Sequence, residues 1–129
     1  MKKLIFILLT IMFLPACGQN KENVQEAVYV NITAEQAKEV MDSQEDYIIL
    51  DTRTQEEYDE GHIPGAILIP YDEIMEKAEA VLTDKNQLIL VYCRSGRRSK
   101  LAAEDLVKLG YTNIKEFGGI IDWPYETET

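Results

Sequence analysis

Hydrophobic residues are spaced in two distinct ways along this chain. Residues 4–14 form a single apolar run, broken only by Thr10. From residue 28 onward apolar residues come in short blocks separated by amphipathic stretches. Tyr29-Val-Asn-Ile32, Tyr47-Ile-Ile-Leu50, Ala66-Ile-Leu-Ile69, Leu88-Ile-Leu-Val-Tyr92 and Asn113 to Phe117 read as strands. Thr33-Ala-Glu-Gln36 and Thr54-Gln-Glu-Glu57 have the capping-box pattern and open helices, the first running to about Met41 and the second ending at Gly61. Asp72 is placed to cap a third helix through about Val81, and Ser99 to Leu109 gives a fourth that closes at Gly110. Continuous apolar strands alternating with helices predict βαβ units, hence an α/β domain with a parallel sheet and helices on both faces. That domain covers residues 28–125, with no internal repeat and no second domain.

The N-terminal run follows Lys2 and Lys3 and spans only residues 4–14, whereas crossing a bilayer takes about 20 apolar residues. It reads as the core of a secretory signal over residues 1–16. Leu14-Pro-Ala-Cys17 resembles the lipobox of bacterial lipoproteins, although Pro15 stands where a small or hydroxyl residue is commoner. This resemblance implies a lipid on Cys17 and an exported lipoprotein facing the extracytoplasmic side of a bacterial cell. Residues 17–27 are polar and aperiodic, as suits a tether, and residues 126–129 form a short acidic tail.

Charge narrows the choice of partners. The chain has 13 Lys and Arg against 23 Asp and Glu, and without residues 1–16 the balance is 11 against 23, a net −12. Such a surface disfavours nucleic acid and anionic bilayers, so membrane attachment would rest on the Cys17 lipid. With Cys17 lipidated, Cys93 is the one remaining thiol and no intramolecular disulfide is available. One His and one free Cys make no metal site; no cofactor is expected, and the domain reads as a monomer.

Against this acidity, no Asp or Glu occurs between Asp84 and Glu104, while Arg94, Arg97, Arg98 and Lys100 crowd Cys93. Cys93 to Arg98 is predicted as a six-residue turn at the carboxyl end of a central parallel strand, the edge where open α/β sheets place their ligands. Gly96 lets the loop curl so that successive N–H groups point inward, and the following helix adds the positive end of its dipole. Free thiols titrate near about 8.5 and fall to about 3.5–7.5 in such surroundings, so Cys93 is expected to be a thiolate. Cations at a helix N-terminus oppose the dipole by about 0.3–1 kcal/mol each. Their presence here is explained by an anionic substrate, which planar guanidinium groups bind with paired hydrogen bonds.

Three separated motifs now resemble the rhodanese-homology domain, the single-domain sulfurtransferase type. Cys93-Arg-Ser-Gly-Arg-Arg-Ser99 is similar to the family's active-site loop. Asp51-Thr-Arg53, Glu57-Tyr58 and Gly61-His-Ile-Pro-Gly-Ala66 are similar to its upstream signature, and Phe117-Gly-Gly119 with Trp123 to its closing one. The resemblance implies a five-stranded parallel sheet flanked by helices, with the cysteine at the bottom of a shallow pocket. It also implies transfer of sulfur from thiosulfate or a similar small anionic donor through a Cys93 persulfide to a thiol or cyanide acceptor. The backbone of Arg94, Ser95, Gly96, Arg97, Arg98 and Ser99 would cradle the persulfide; Arg94, Arg97 and Arg98 would assist anion binding, with Arg98 closing the loop. Asp51, Arg53, Glu57, His62, Gly118, Gly119 and Trp123 read as architecture. Arg53 and Glu57 are spaced to pair across one helical turn, His62 as a hydrogen-bonder in its turn, and Trp123 as a core anchor. Gly118 and Gly119 would let the backbone pass close to the loop.

Two other functions use the same loop logic. A phosphatase or arsenate reductase would place its arginine six positions after the cysteine, where this chain has Ser99, and the usual tyrosine phosphatase motif has His where Tyr92 stands. A persulfide carrier or redox-sensing module would need the same residues as a catalyst.

Overall fold

The computed structural model describes residues 28–129; the expected signal over residues 1–16, Cys17 and the expected tether lie outside the described residues. The five apolar blocks form five parallel strands, β1 (Val30–Asn31), β2 (Tyr47–Asp51), β3 (Ile67–Leu68), β4 (Leu88–Cys93) and β5 (Ile114–Gly119), in the order β1-β5-β4-β2-β3. Every residue of β4 is buried, as its central position requires. Alternation along β4 feeds two cores. Ile89 and Val91 join Ala102, Ala103 and Leu106 of α4 (Arg97–Lys108) and Ile74 and Ala78 of α3 (Ile74–Val81). Leu88, Leu90 and Tyr92 face Ala37 of α1 (Ala34–Ser43), Ile63, Phe117 and Trp123. Burying a large apolar side chain contributes about 1.5–3 kcal/mol, so the two layers fix β4, and with it Cys93, from both sides.

Local signals account for most boundaries. Thr33 caps α1 in a full capping box with Gln36. Thr54 accepts the Glu57 N–H at the start of α2 (Gln55–Glu60), but the Glu57 carboxylate takes the Thr54 hydroxyl, at 3.2 Å, and Arg98 rather than the Thr54 backbone N–H, so the box is not completed. Two expectations need correction. Asp72 caps nothing, because Tyr71–Glu73 closes as a 3₁₀ turn on the Pro70 carbonyl before α3 begins. And α4 starts at Arg97, two residues earlier than the expected Ser99, because Gly96 at φ +106 reverses the chain within one residue and its carbonyl already accepts the Lys100 N–H. The turn after Cys93 is therefore only Arg94 to Gly96, and Arg97 and Arg98 belong to the first turn of the helix.

At the carboxyl edge the register between β4 and β5 slips: Val91 pairs with Glu116, but Cys93 pairs with Gly119. The extra residue on β5 is a bulge, a device that re-aims a strand end, and it brings Gly118 and Gly119 alongside the cysteine. The final residues also return to the domain, where the backbones of His62 and Glu128 exchange hydrogen bonds of 2.8 Å in both directions.

Candidate active site

Cys93 ends β4 and is 1% exposed. Its Sγ accepts the Gly96 N–H at 2.9 Å and lies 3.3 Å from the Ser99 hydroxyl. Burial by itself pushes the thiol pKa up. Donors arrayed around Sγ outweigh it, the Ser99 hydroxyl whenever its proton turns to the sulfur and the backbone N–H groups of Ser99, Gly96 and Ser95 throughout, so the thiol titrates below its ordinary value. The lowering arises from a reversed loop whose amides converge on one atom, placed at the N-terminus of a twelve-residue helix.

The loop is held by its neighbours. The Arg94 carbonyl accepts the Ile121 N–H at 3.2 Å. Gly119 passes so close that a Cβ there would collide with the Arg94 carbonyl and the Ser95 nitrogen. Thr52 donates both its N–H, at 3.0 Å, and its hydroxyl, at 2.8 Å, to the Tyr92 carbonyl just before the cysteine.

The upstream motif ties β2, β4 and the Gly61–Ala66 turn together. Asp51 is fully buried and paired with Arg53, whose Nη2 lies 2.8 Å from Oδ2. The same carboxylate accepts the Tyr92 hydroxyl at 2.7 Å, and that hydroxyl accepts the Ile63 N–H at 3.1 Å. Burial and then the Asp51 charge push the Tyr92 phenol pKa well up, so it stays a donor. Arg53 also donates from Nε to both Asp51 oxygens, at 3.1 Å, and from Nη2 to the Gly61 carbonyl at 2.6 Å. Such a pair is costly to break because one partner alone would be a buried charge.

Arg53 therefore does not pair with Glu57, contrary to the helical-turn spacing; Asp51 has captured it. Glu57 instead receives Arg98 in a two-pronged bridge, Nη1 to Oε1 at 2.6 Å and Nη2 to Oε2 at 2.9 Å. This clamp joins α2 to the first turn of α4. The Arg98 hydrogen bonds lower the Glu57 pKa from 4.5 to about 2. A carboxylate with a depressed folded-state pKa adds stability above its unfolded pKa, and that stability is lost as pH falls toward the folded value. Allowing for partial exposure of both groups, the clamp contributes about 1 kcal/mol. Urea unfolding of wild type and Glu57→Gln at pH 5 and near pH 2 should show the wild-type advantage shrinking by about that amount. Equal pH dependence in both proteins would remove the clamp's role.

The remaining motif residues lie as follows. His62 stacks on Tyr58 with ring centroids 3.8 Å apart, and its Nδ1 donates to the Tyr58 carbonyl at 2.9 Å; Nε2 lies 3.4 Å from Glu128. Trp123 is buried against Phe117 and donates its indole N–H to the Glu126 carbonyl. Arg94 and Arg97 are exposed and make no side-chain ion pair among the described residues. Arg94, with Arg53, Glu57, Glu60, Gly61, Ile120, Ile121 and Thr127, lines a cleft of ≈ 530 Å³ beside the loop. A hollow of ≈ 490 Å³ between Lys38, Met41, Tyr47 and Trp123 contains no loop residue and lies apart from this chemistry.

One residue of the site goes unsingled in the sequence. Glu116 of β5 is 2% exposed, and its Oε1 accepts the Ser99 hydroxyl at 2.7 Å and the Gly118 N–H at 2.8 Å. The signal was available in alternation: Glu116 shares a face with Ile114, which is in the core.

The chain is similar to known proteins. The thiosulfate sulfurtransferase PspE of Escherichia coli K12 is 41% identical over 73 residues, covering 57% of this chain and 70% of PspE. The putative sulfur carrier protein YrkF of Bacillus subtilis 168 is 40% identical over 98 residues, 75% of this chain, and this match spans 52% of YrkF. Among solved structures, a rhodanese with anions from E. coli superposes with a TM-score of 0.61 at 36% identity, covering 64% of this chain and 98% of that one. Residues 33–124 match the rhodanese-like domain, and with the five-stranded parallel sheet and the cysteine loop in place, the chain belongs to the rhodanese-like family of sulfurtransferases.

Proposed function

We propose that the protein moves sulfane sulfur from thiosulfate, or a similar small anion, to a thiol or cyanide acceptor through a persulfide on Cys93. The observation that carries this reading is the buried Sγ facing the Gly96 N–H and the start of α4, with a lowered pKa. The thiolate attacks the outer sulfur of thiosulfate; a sulfur–sulfur bond forms at Sγ, the donor's sulfur–sulfur bond breaks, and sulfite leaves with the electron pair. The outer persulfide sulfur carries the negative charge and is stabilised by the loop amides. An acceptor thiolate or cyanide then attacks that sulfur, and Cys93 departs as the thiolate. Sulfite leaves before the acceptor reacts, and the enzyme alternates between the persulfide and the free thiolate, so the kinetics are ping-pong.

The arginines divide the remaining work. Arg98 is committed to Glu57 and holds the loop. Arg94 and Arg97, without an ion pair among the described residues, gather an anion that a molecule of net charge −10 would otherwise repel. Arg97→Ala should raise the KM for thiosulfate severalfold with kcat little changed, since it removes binding rather than bond-making. An unchanged KM in steady-state thiosulfate–cyanide assays would remove Arg97 from donor binding.

The leader Leu14-Pro-Ala-Cys17 supports a lipoprotein held by Cys17 on the outer side of a bacterial membrane; metabolic labelling with a fatty acid, lost in Cys17→Ala, tests it. A carrier reading is favoured by the similarity to YrkF. Turnover decides between the two: a catalyst cycles thiosulfate and cyanide many times, whereas a carrier loads once and waits for its partner.

A further inference from the structure

Ser99 has one hydroxyl proton and four acceptors within reach: Glu116 Oε1 at 2.7 Å, the Gly96 carbonyl at 3.0 Å, Cys93 Sγ at 3.3 Å and the Gly118 carbonyl at 3.4 Å. The shortest approach is also the one to a charged oxygen, and charge-assisted bonds are roughly twice as strong as neutral ones. Glu116 is fixed for this contact from the other side, since the same Oε1 accepts the Gly118 N–H on the bulge. A carboxylate this buried among apolar strands is expensive unless its environment uses it.

We propose that Glu116 is a positioning residue for Cys93, taking the single Ser99 hydroxyl proton and so withholding it from the sulfur. The resting thiolate is then held by backbone N–H groups alone and keeps a higher basicity than the loop would otherwise impose. A thiolate of higher pKa is a better nucleophile, with a Brønsted slope of about 0.4–0.5. The buried carboxylate thereby offsets the pKa-lowering loop, and the sulfur remains reactive toward the donor. Other charged groups face this centre from each packed element. Arg98 of α4 lies near the sulfur and is paired with Glu57 of α2; Asp51 of β2 is paired with Arg53; Glu104 of α4 and Tyr29 beside β1 lie on the Glu116 side. None of these groups is itself altered by substituting Glu116 or Ser99.

The inference rests on Cys93 as the reacting thiol, but its test is a titration and needs no sulfur transfer. In the full chain, the rate of iodoacetamide alkylation at Cys93 is followed against pH by peptide mass spectrometry, which separates Cys93 from Cys17. Glu116→Gln, which keeps size but loses charge, should release the hydroxyl to the sulfur. Its midpoint should fall by about one pH unit and its alkaline plateau by about threefold. In a Ser99→Ala background the same substitution should move the midpoint by less than about a third of a unit. An equal shift in both backgrounds would mean that the carboxylate acts by direct field, not through Ser99, and would overturn the proposal, as would no shift in either. Should Glu116→Gln not fold, Ser99→Ala alone decides: a midpoint near wild type supports the proposal, and a rise of about one unit would place the proton on the sulfur and overturn it. A normal titration with no uptake of sulfur would instead count against the sulfurtransferase reading and leave this one standing.

Discussion

Cys93→Ser should fold like the wild type and transfer sulfur at least about a thousandfold more slowly, the scale on which removing a nucleophile acts. The serine oxygen fits the space, and the Gly96 N–H that meets Sγ at 2.9 Å would meet a hydroxyl instead. Exchanging one hydrogen-bonded group for another changes stability by about 1 kcal/mol. Chemistry does not survive the exchange, because an alcohol at neutral pH is neither ionised nor able to carry a sulfane sulfur. Circular dichroism and urea unfolding check the fold, and thiocyanate formation from thiosulfate and cyanide checks the loss. Substantial residual transfer would mean that another group is the nucleophile.

Gly119→Ala should also be damaging, although residue 119 has no side chain to offer the chemistry. Its backbone is ordinary extended chain at φ −135, so conformation is not the reason for the glycine. Proximity is: an added Cβ would strike the Arg94 carbonyl and the Ser95 nitrogen, both backbone atoms of the cysteine loop. Overpacking of this kind costs about 1–3 kcal/mol. The loop must shift to relieve it, and a displacement near 1 Å in a catalytic constellation costs about a hundredfold in rate. Gly118→Ala is the control. Gly118 has φ +86 and nothing within 4 Å of an added Cβ, so it meets backbone strain without a collision. Its penalty should be about 1–2 kcal/mol with a far smaller fall in kcat/KM. Equal losses in the two variants would show that flexibility, not close approach, is what the glycine pair supplies.

The contrast between those two glycines marks how far the sequence could be read. Strand blocks such as Leu88 to Tyr92 were legible because burial on both faces leaves an unbroken apolar run. The cysteine loop was legible because it concentrates cations in a chain otherwise short of them. Pairings were not, because local spacing names candidates without ranking them. Arg53 had a plausible partner one turn ahead at Glu57, yet Asp51, two residues behind and fully buried, takes it. The partner of Glu57 then comes from 41 residues away, in Arg98. The early start of α4 is not legible for a related reason: residue spacing does not show that Gly96 adopts φ +106 and so lets the helix begin at Arg97. Asp72 failed as a cap because Pro70 already organises the turn.

The account turns on one covalent species, a persulfide on Cys93. Intact-mass spectrometry of the purified protein, before and after thiosulfate and again after cyanide, addresses it directly. A gain of one sulfur atom on Cys93, absent from Cys93→Ser and removed by cyanide, is the predicted result. A folded protein whose Cys93 thiol stays free and gains no mass would contradict it.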